Sequence, residues 1–174
     1  NLHVFTVNPA YRFGGGGRFG GFGGGNQKNV GKNPPNGVVF NYFLKNGSDS
    51  AKVAVTIMDK DKKVIKTFTS GGGRQPAGGA QPQFGGFPGM SGANARVSTD
   101  KGMNQFVWDM NYPPAERVDG LILWNGFIGS PKAAPGNYYA RFKAGSDSVE
   151  VPFTILANPN YKTTQAAYDE QFNF

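Results

Sequence analysis

Short apolar alternations, broken again and again by glycine and proline, set the limits on what this chain can become. In "AKVAVTIMD" (51–59), Val53, Val55 and Ile57 fall on one side and Lys52, Ala54 and Thr56 on the other. A period of two belongs to a half-buried β-strand, because successive side chains of a strand point to opposite faces. "VVFNYFL" (38–44), "VIKTFT" (64–69), "NQFVWDM" (104–110), "YYARFKA" (138–144) and "SVEVPFTIL" (148–156) follow the same rule. "LHVFTV" (2–7) reads as a further short strand, and "LILW" (121–124) is apolar and short. Turn chemistry separates them: "KNGSDS" (45–50), "KDKK" (60–63), "SPKAAPGN" (130–137) and "GSD" (145–147). Pro34 and Pro35 forbid a helix in "VGKNPPNG".

Six to eight short strands at this spacing predict an all-β chain, an immunoglobulin-like antiparallel β-sandwich. Two Gly-rich insertion loops interrupt it, and "TTQAAYDEQF" (163–172) reads as the start of a C-terminal helix capped by Thr163 or Thr164. The expected organisation is a connector strand at 1–13 and a Gly/Pro-rich loop at 14–37. The sandwich follows at 38–157, with an insertion expected to be mobile at 70–98, then a linker and the start of the helix at 158–174. Without the Gly-rich stretches, roughly 120–130 residues remain, enough for one modest core. Fifteen Phe and seven Tyr are too many for a disordered chain.

The tract "GGGGRFGGFGGG" (14–25) invites two functional readings. Gly15, Gly17 and Gly20 fit the spacing of a dinucleotide loop, but that loop needs a helix directly after it, and "NQKNVGKNPPNG" cannot supply one. Arg12 and Arg18 among Phe13, Phe19 and Phe22 resemble a single-strand-binding tract. Two arginines contribute little to a phosphate term that grows with the number of cations, so nucleic acid is not expected as a partner. An insertion loop is the plainer reading, and "SGGGRQPAGGAQPQFGGFPGMSGANA" (70–95) supports it by lying between strands with only Arg74.

Catalytic partners are scarce. There is no cysteine, which excludes disulfides and thiolate-held metals, and His3 is the only histidine. The carboxylates Asp109, Glu116 and Asp119 gather in "WDMNYPPAERVDG", where turn and surface roles are expected. "DKD" (59–61) lacks the further acids and the glycine of a calcium loop. The reading for this chain is therefore no enzyme and no cofactor. Trp108, Tyr112 and Trp124, with Asp109, are the candidate ligand or partner surface, an aromatic platform of the kind a sugar stacks on. Core packing is the competing role, since a Trp on a central sandwich strand is usually buried. The net charge is +7, yet in "MDKDKKVIK" the lysines alternate with Asp59 and Asp61, as at a solvated hairpin tip. No apolar run approaches the ~20 residues of a membrane-spanning helix. The chain starts at Asn1 and carries no signal peptide, and it reads as a piece of something longer.

The serial order of "LHVFTVNPAYRFGGGG", "GKNPPNGVVFNYFLK", "VTIMDKDKKVIKTF", "KGMNQFVWDMNYP", "GLILWNG", "APGNYYARF" and "TTQAAYDEQFNF" resembles the C-terminal region of large bacterial proteins labelled glycosyl hydrolase or sortilin-like. In these a β-propeller of sialidase-type (Asp-box) repeats precedes the module. The middle of the chain is also similar to the Ig-like domain of flagellar hook-capping proteins. Val55, Ile57 and Asp59 match one motif of that domain, Phe106, Trp108 and Asp109 a second, and Pro135, Gly136 and Tyr138 a third. Lys62 or Lys63 stands where that hairpin usually has glycine, and Ala134 where a first proline is common.

The resemblance implies an extracytoplasmic location (secreted, periplasmic or cell-surface) in a Gram-negative bacterium. It implies an accessory domain that packs on, or docks, its own upstream propeller or another envelope protein. It transfers no activity and no site residue. The alternatives are a carbohydrate-binding module or part of a glycoside hydrolase, a subunit of a cell-envelope complex, and nucleic-acid binding through the Gly/Arg/Phe tracts.

Overall fold

A computed structural model describes residues 1–13, 35–47, 52–70, 97–114 and 130–173. Among the described residues, eight strands and one helix form: β1 (Leu2–Val4), β2 (Ala10–Tyr11), β3 (Val38–Leu44), β4 (Val53–Met58), β5 (Val64–Thr69), β6 (Gly102–Trp108), β7 (Gly136–Ala144), β8 (Asp147–Leu156) and α1 (Gln165–Asn173). They build an all-β sandwich of two sheets, β1-β3-β6 and β2-β8-β7-β4-β5. Among the described residues the chain crosses between the sheets after β1, β2, β3, β5 and β6, while β4–β5 and β7–β8 stay within one sheet. One feature departs from a purely antiparallel sandwich. β2 joins β8 in parallel, with Ala10 opposite Ile155 and Tyr11 opposite Leu156, while the other strand pairs among the described residues are antiparallel. Both expected Gly-rich tracts and "LILW" lie outside the described residues, apart from Ser70 at the start of the second tract.

The alternation read from the sequence is the alternation of burial. β3 buries Val38, Phe40, Tyr42 and Leu44, β4 buries Val53, Val55 and Ile57, and β7 buries Tyr138, Ala140 and Phe142. Phe40 sits at the centre. Its ring lies 5.9 Å from Phe106 in its own sheet, and 5.7 Å from Phe142 and 5.2 Å from Phe153 in the other. Edge-to-face and tilted pairs at these separations add to the burial of each ring, itself about 1.5–3 kcal/mol.

The turns are fixed by specific chemistry. In the β4–β5 hairpin, Asp59 Oδ1 accepts from the main-chain N–H of Asp61 and of Lys63, both at 2.9 Å. Lys62 takes the left-handed conformation there (φ 61°), at the place where glycine is usual. Before β3, Gly37 lies so close to β6 that an added Cβ would collide with the carbonyl oxygen of Trp108. At the start of β7, the buried Tyr138 hydroxyl donates to the Ala134 carbonyl at 2.8 Å. A tyrosine at this strand start, bonded back to the chain just upstream, is a hallmark of immunoglobulin-type sandwiches.

The tyrosine side chains make the fold sensitive to alkali. Burial, with Asp100 nearby, pushes Tyr42 from its ordinary 10.0 up to about 12. Burial also raises Tyr138, and it raises Tyr112 with help from Asp59. Each folded-state value lies above the unfolded one, so their contribution to stability is whole below pH 10.0 and falls as pH rises towards the folded values. Urea-unfolding free energy is therefore expected to decline above that pH, and the decline to be shallower in Tyr42→Phe. Tyr138→Phe strands the Ala134 carbonyl and is expected to cost about 1–3 kcal/mol at neutral pH. An unchanged urea midpoint would refute that role.

Candidate functional site

The sequence pointed to Trp108, Asp109, Tyr112 and Trp124, and the structure distributes them differently. Trp108 is wholly buried at the end of β6. Its ring meets Tyr138 at 6.1 Å and Phe153 at 5.9 Å, and its Nε1 donates to the Asn111 carbonyl at 3.3 Å. A ring enclosed in this way has no face for a sugar, so Trp108 leaves the candidate surface and serves the core. Trp124 lies outside the described residues.

Asp109 is exposed, and its carboxylate shapes a turn. Oδ1 accepts from the Asn111 main-chain N–H at 3.1 Å, and Oδ2 from the Asn111 amide at 2.9 Å. That grip helps hold Met110, buried, at φ 64°. Tyr112 is half-buried against Phe172 of α1, with ring centroids 4.8 Å apart. Asp109 and Tyr112 thus stand close together in the chain, each engaged in a structural corner.

That corner is tied by a reciprocal clasp. Arg12 Nε donates to the Ala133 carbonyl at 2.9 Å, and Lys132 Nζ donates to the Phe13 carbonyl at 2.7 Å. Residues 110–112 pair with 131–133 through Ala133 N to Met110 O (2.7 Å) and Tyr112 N to Pro131 O (2.9 Å). The Arg12 guanidinium lies 5.1 Å from the Tyr168 ring, the one buried side chain of α1. Gln165 Nε2 reaches the Pro135 carbonyl at 2.9 Å. Partial burial lowers the Lys132 ammonium from its ordinary value, the Arg12 charge adds to this, and Asp109 opposes it. Thr164 caps the helix, its Oγ1 accepting from Ala167 N at 3.3 Å.

The two outer faces of the sandwich differ in chemistry. Across the five-stranded sheet one row reads Thr67, Thr56, Arg141, Glu150. The hydroxyls of Thr56 and Thr67 are 3.2 Å apart, and Glu150 takes Arg141 at 2.9 Å and Lys62 at 2.7 Å. Across the three-stranded sheet the corresponding row reads His3, Phe43, Met103. Phe43 is 37 % exposed and Met103 61 %. Phe5, 38 % exposed, stacks its edge on His3 at 4.7 Å. The next rows are Asn41 with Gln105, and Val39 with Val107. Beyond Val39 the face runs into a groove of about 560 Å³ between Pro9, Tyr11, Phe13 and Pro35. The outer face of the three-stranded sheet thus places the exposed Phe43, Met103 and Phe5 beside His3, with the polar Asn41–Gln105 row between them and Val39–Val107; this cluster of exposed apolar side chains is the candidate functional feature.

No sequence motif singles out these residues. The signal lay in the outward positions of two strands, where "VVFNYFL" holds Val39 and Phe43 and "GMNQFVW" holds Met103 and Val107. Among the described residues, no three of His, Cys, Asp and Glu gather as a metal-holding group. Compared with family models, curated proteins and solved structures, the chain matches none.

The clasp makes Arg12 the link between β2, the 130–135 segment and α1. Arg12→Ala is expected to raise amide exchange along Gln165–Asn173 on the order of tenfold, with the strands unaffected. Equal exchange in both proteins would show that α1 does not depend on the clasp.

Proposed function

We propose that this chain is a non-catalytic interaction module of an extracytoplasmic bacterial protein, docking through the outer face of β1-β3-β6. The resemblance to the C-terminal module of sortilin-like, Asp-box propeller proteins supports both the location and the neighbour, an upstream propeller or another envelope protein. The observation that carries the reading is the exposure of Phe43, Met103 and Phe5 together on one side of β1-β3-β6. A sheet that faces water on one side normally presents polar residues there, as the Thr67–Thr56–Arg141–Glu150 row does. Phe43 and Met103 break that rule with Phe5 beside them, and exposed apolar side chains gathered in one place are what an interaction surface offers. The carbohydrate reading loses its central ring with the burial of Trp108.

Hydroxyl-radical footprinting tests this even with the partner unidentified. The protein is oxidised once in its native envelope and once as the purified chain. Protection of Met103 and Phe43 by about fivefold or more in the native setting is expected for residues inside a packed interface. Phe43→Glu with Met103→Glu is expected to abolish the protection of Phe5 as well. Equal oxidation in the two settings would overturn the docking reading.

A further inference from the structure

The same face ends at a strand edge that is open among the described residues. β6 pairs with β3 alone, in unbroken register from Gly102 to Trp108. The direction of its main-chain groups follows from β1. Phe5 N donates to Asn41 O at 3.0 Å, and Lys45 N donates to Asn1 O at 3.1 Å. The odd-numbered residues of β3 thus aim their main chain at β1. In an antiparallel ladder the N–H and C=O of one residue point the same way, and neighbours alternate. The residues opposite Asn41, Phe43 and Val39 are Gln105, Met103 and Val107. Their N–H and C=O groups therefore face the open edge.

Natural sheets defend their edges with short strands, charges, prolines or bulges. β2 is two residues long, and β5 carries Lys66 and a register shift against β4. β6 has none of these devices: seven residues, "GMNQFVW", without charge or proline. In constant-type immunoglobulin sandwiches a fourth strand occupies this position beside β6.

We infer that β6 is a strand acceptor, taking an extended segment of a partner protein that runs antiparallel to it, apolar at alternate positions and acidic at its C-terminal end. The inference rests on the docking reading and names the partner's chemistry. The apolar positions would lie beside Met103 and Val107. The acidic end follows from charge. One register step past the Leu44–Gly102 pair stand Lys45 and Lys101, both exposed. An antiparallel strand starting at Trp108 ends beside them. Asp100, the adjacent acid, is engaged by the Ser98 hydroxyl at 2.7 Å. No outward position of β1, β3 or β6 holds a carboxylate. A net charge of +7 weighs against a second copy as the occupant.

The test uses the 174-residue chain and two synthetic peptides. Both alternate Val and Thr over ten residues (a length of about that of β8 here), one ending in Glu-Glu and the other in Lys-Lys. Titration is followed by amide NMR. The acidic peptide is expected to bind saturably, shift the Met103, Gln105 and Val107 amides together, and bind about tenfold tighter than the basic one. Gln105→Pro removes an edge-facing N–H and no ladder bond, and is expected to abolish binding while the chain stays folded. The wild-type amide shifts test the geometry without any variant. Three results would overturn the inference. If Phe43→Glu abolishes binding and Gln105→Pro does not, side chains dock without strand addition, and the docking reading survives alone. If the two peptides bind equally, the acidic partner is wrong. If neither peptide binds and the chain self-associates through Gln105-sensitive contacts, the occupant is a second copy. Equal footprints in the native envelope and the purified chain would instead remove the docking reading itself.

Discussion

The contact of Phe40 with Phe142 and Phe153 is where the two sheets become one body. The first half of the chain contributes one ring and the last third the other two, so no stretch of sequence can make this contact by itself. Its geometry then propagates. Phe153 carries the packing to Trp108 and Tyr138, and these two close the end of the sandwich where β2, the 130–135 segment and α1 meet. The corner clasp, the cap on α1 and the left-handed Met110 are arranged around a core already set by those rings. Large buried aromatics dominate the energetics of small sandwiches, and here nearly all of them belong to this connected cluster.

Much of the fold was legible because alternation and turn chemistry are local signals. The spans 38–44 and 64–69 coincide with β3 and β5, and the helix starts within two residues of its expected place with one of the two expected caps. β2 was not legible: two residues carry no period, and their pairing with β8 is fixed by contacts some 145 residues away in sequence. "LHVFTV" promised a strand through residue 7, but the chain must leave one sheet for the other, and β1 stops at Val4. The tyrosine at the start of β7 is legible only as part of a Pro-Gly-x-Tyr motif. Its back-bond to Ala134 needs the folded turn to be seen.

The candidate site was less legible than the fold, for a physical reason. Trp108 looked informative because tryptophan is rare and chemically capable, yet a large ring on an inward position is claimed by the core. The informative residues were ordinary ones in the wrong place, Phe43 and Met103 at outward positions. Reading them requires the register of three strands at once, since only pairing aligns His3, Phe43 and Met103 into one row. The burial of Trp108 and the exposure of Met103 have one cause: inward and outward positions on β6 differ by a single residue step.

The parallel pairing of β2 with β8 has a mechanical meaning. β2 and β8 run in the same direction, so a pull backward on the chain entering β2 and forward on the chain leaving β8 slides one strand along the other. The Arg12 N–H to Leu156 carbonyl bond, at 2.8 Å, and the ladder bonds beside it then lie across the load and bear it together. An antiparallel hairpin pulled at its open end would lose its bonds one at a time. Tension applied between residue 10 and residue 156 is thus met in shear, and the clasp at Arg12 and Lys132 stands directly behind the loaded strands as a second restraint.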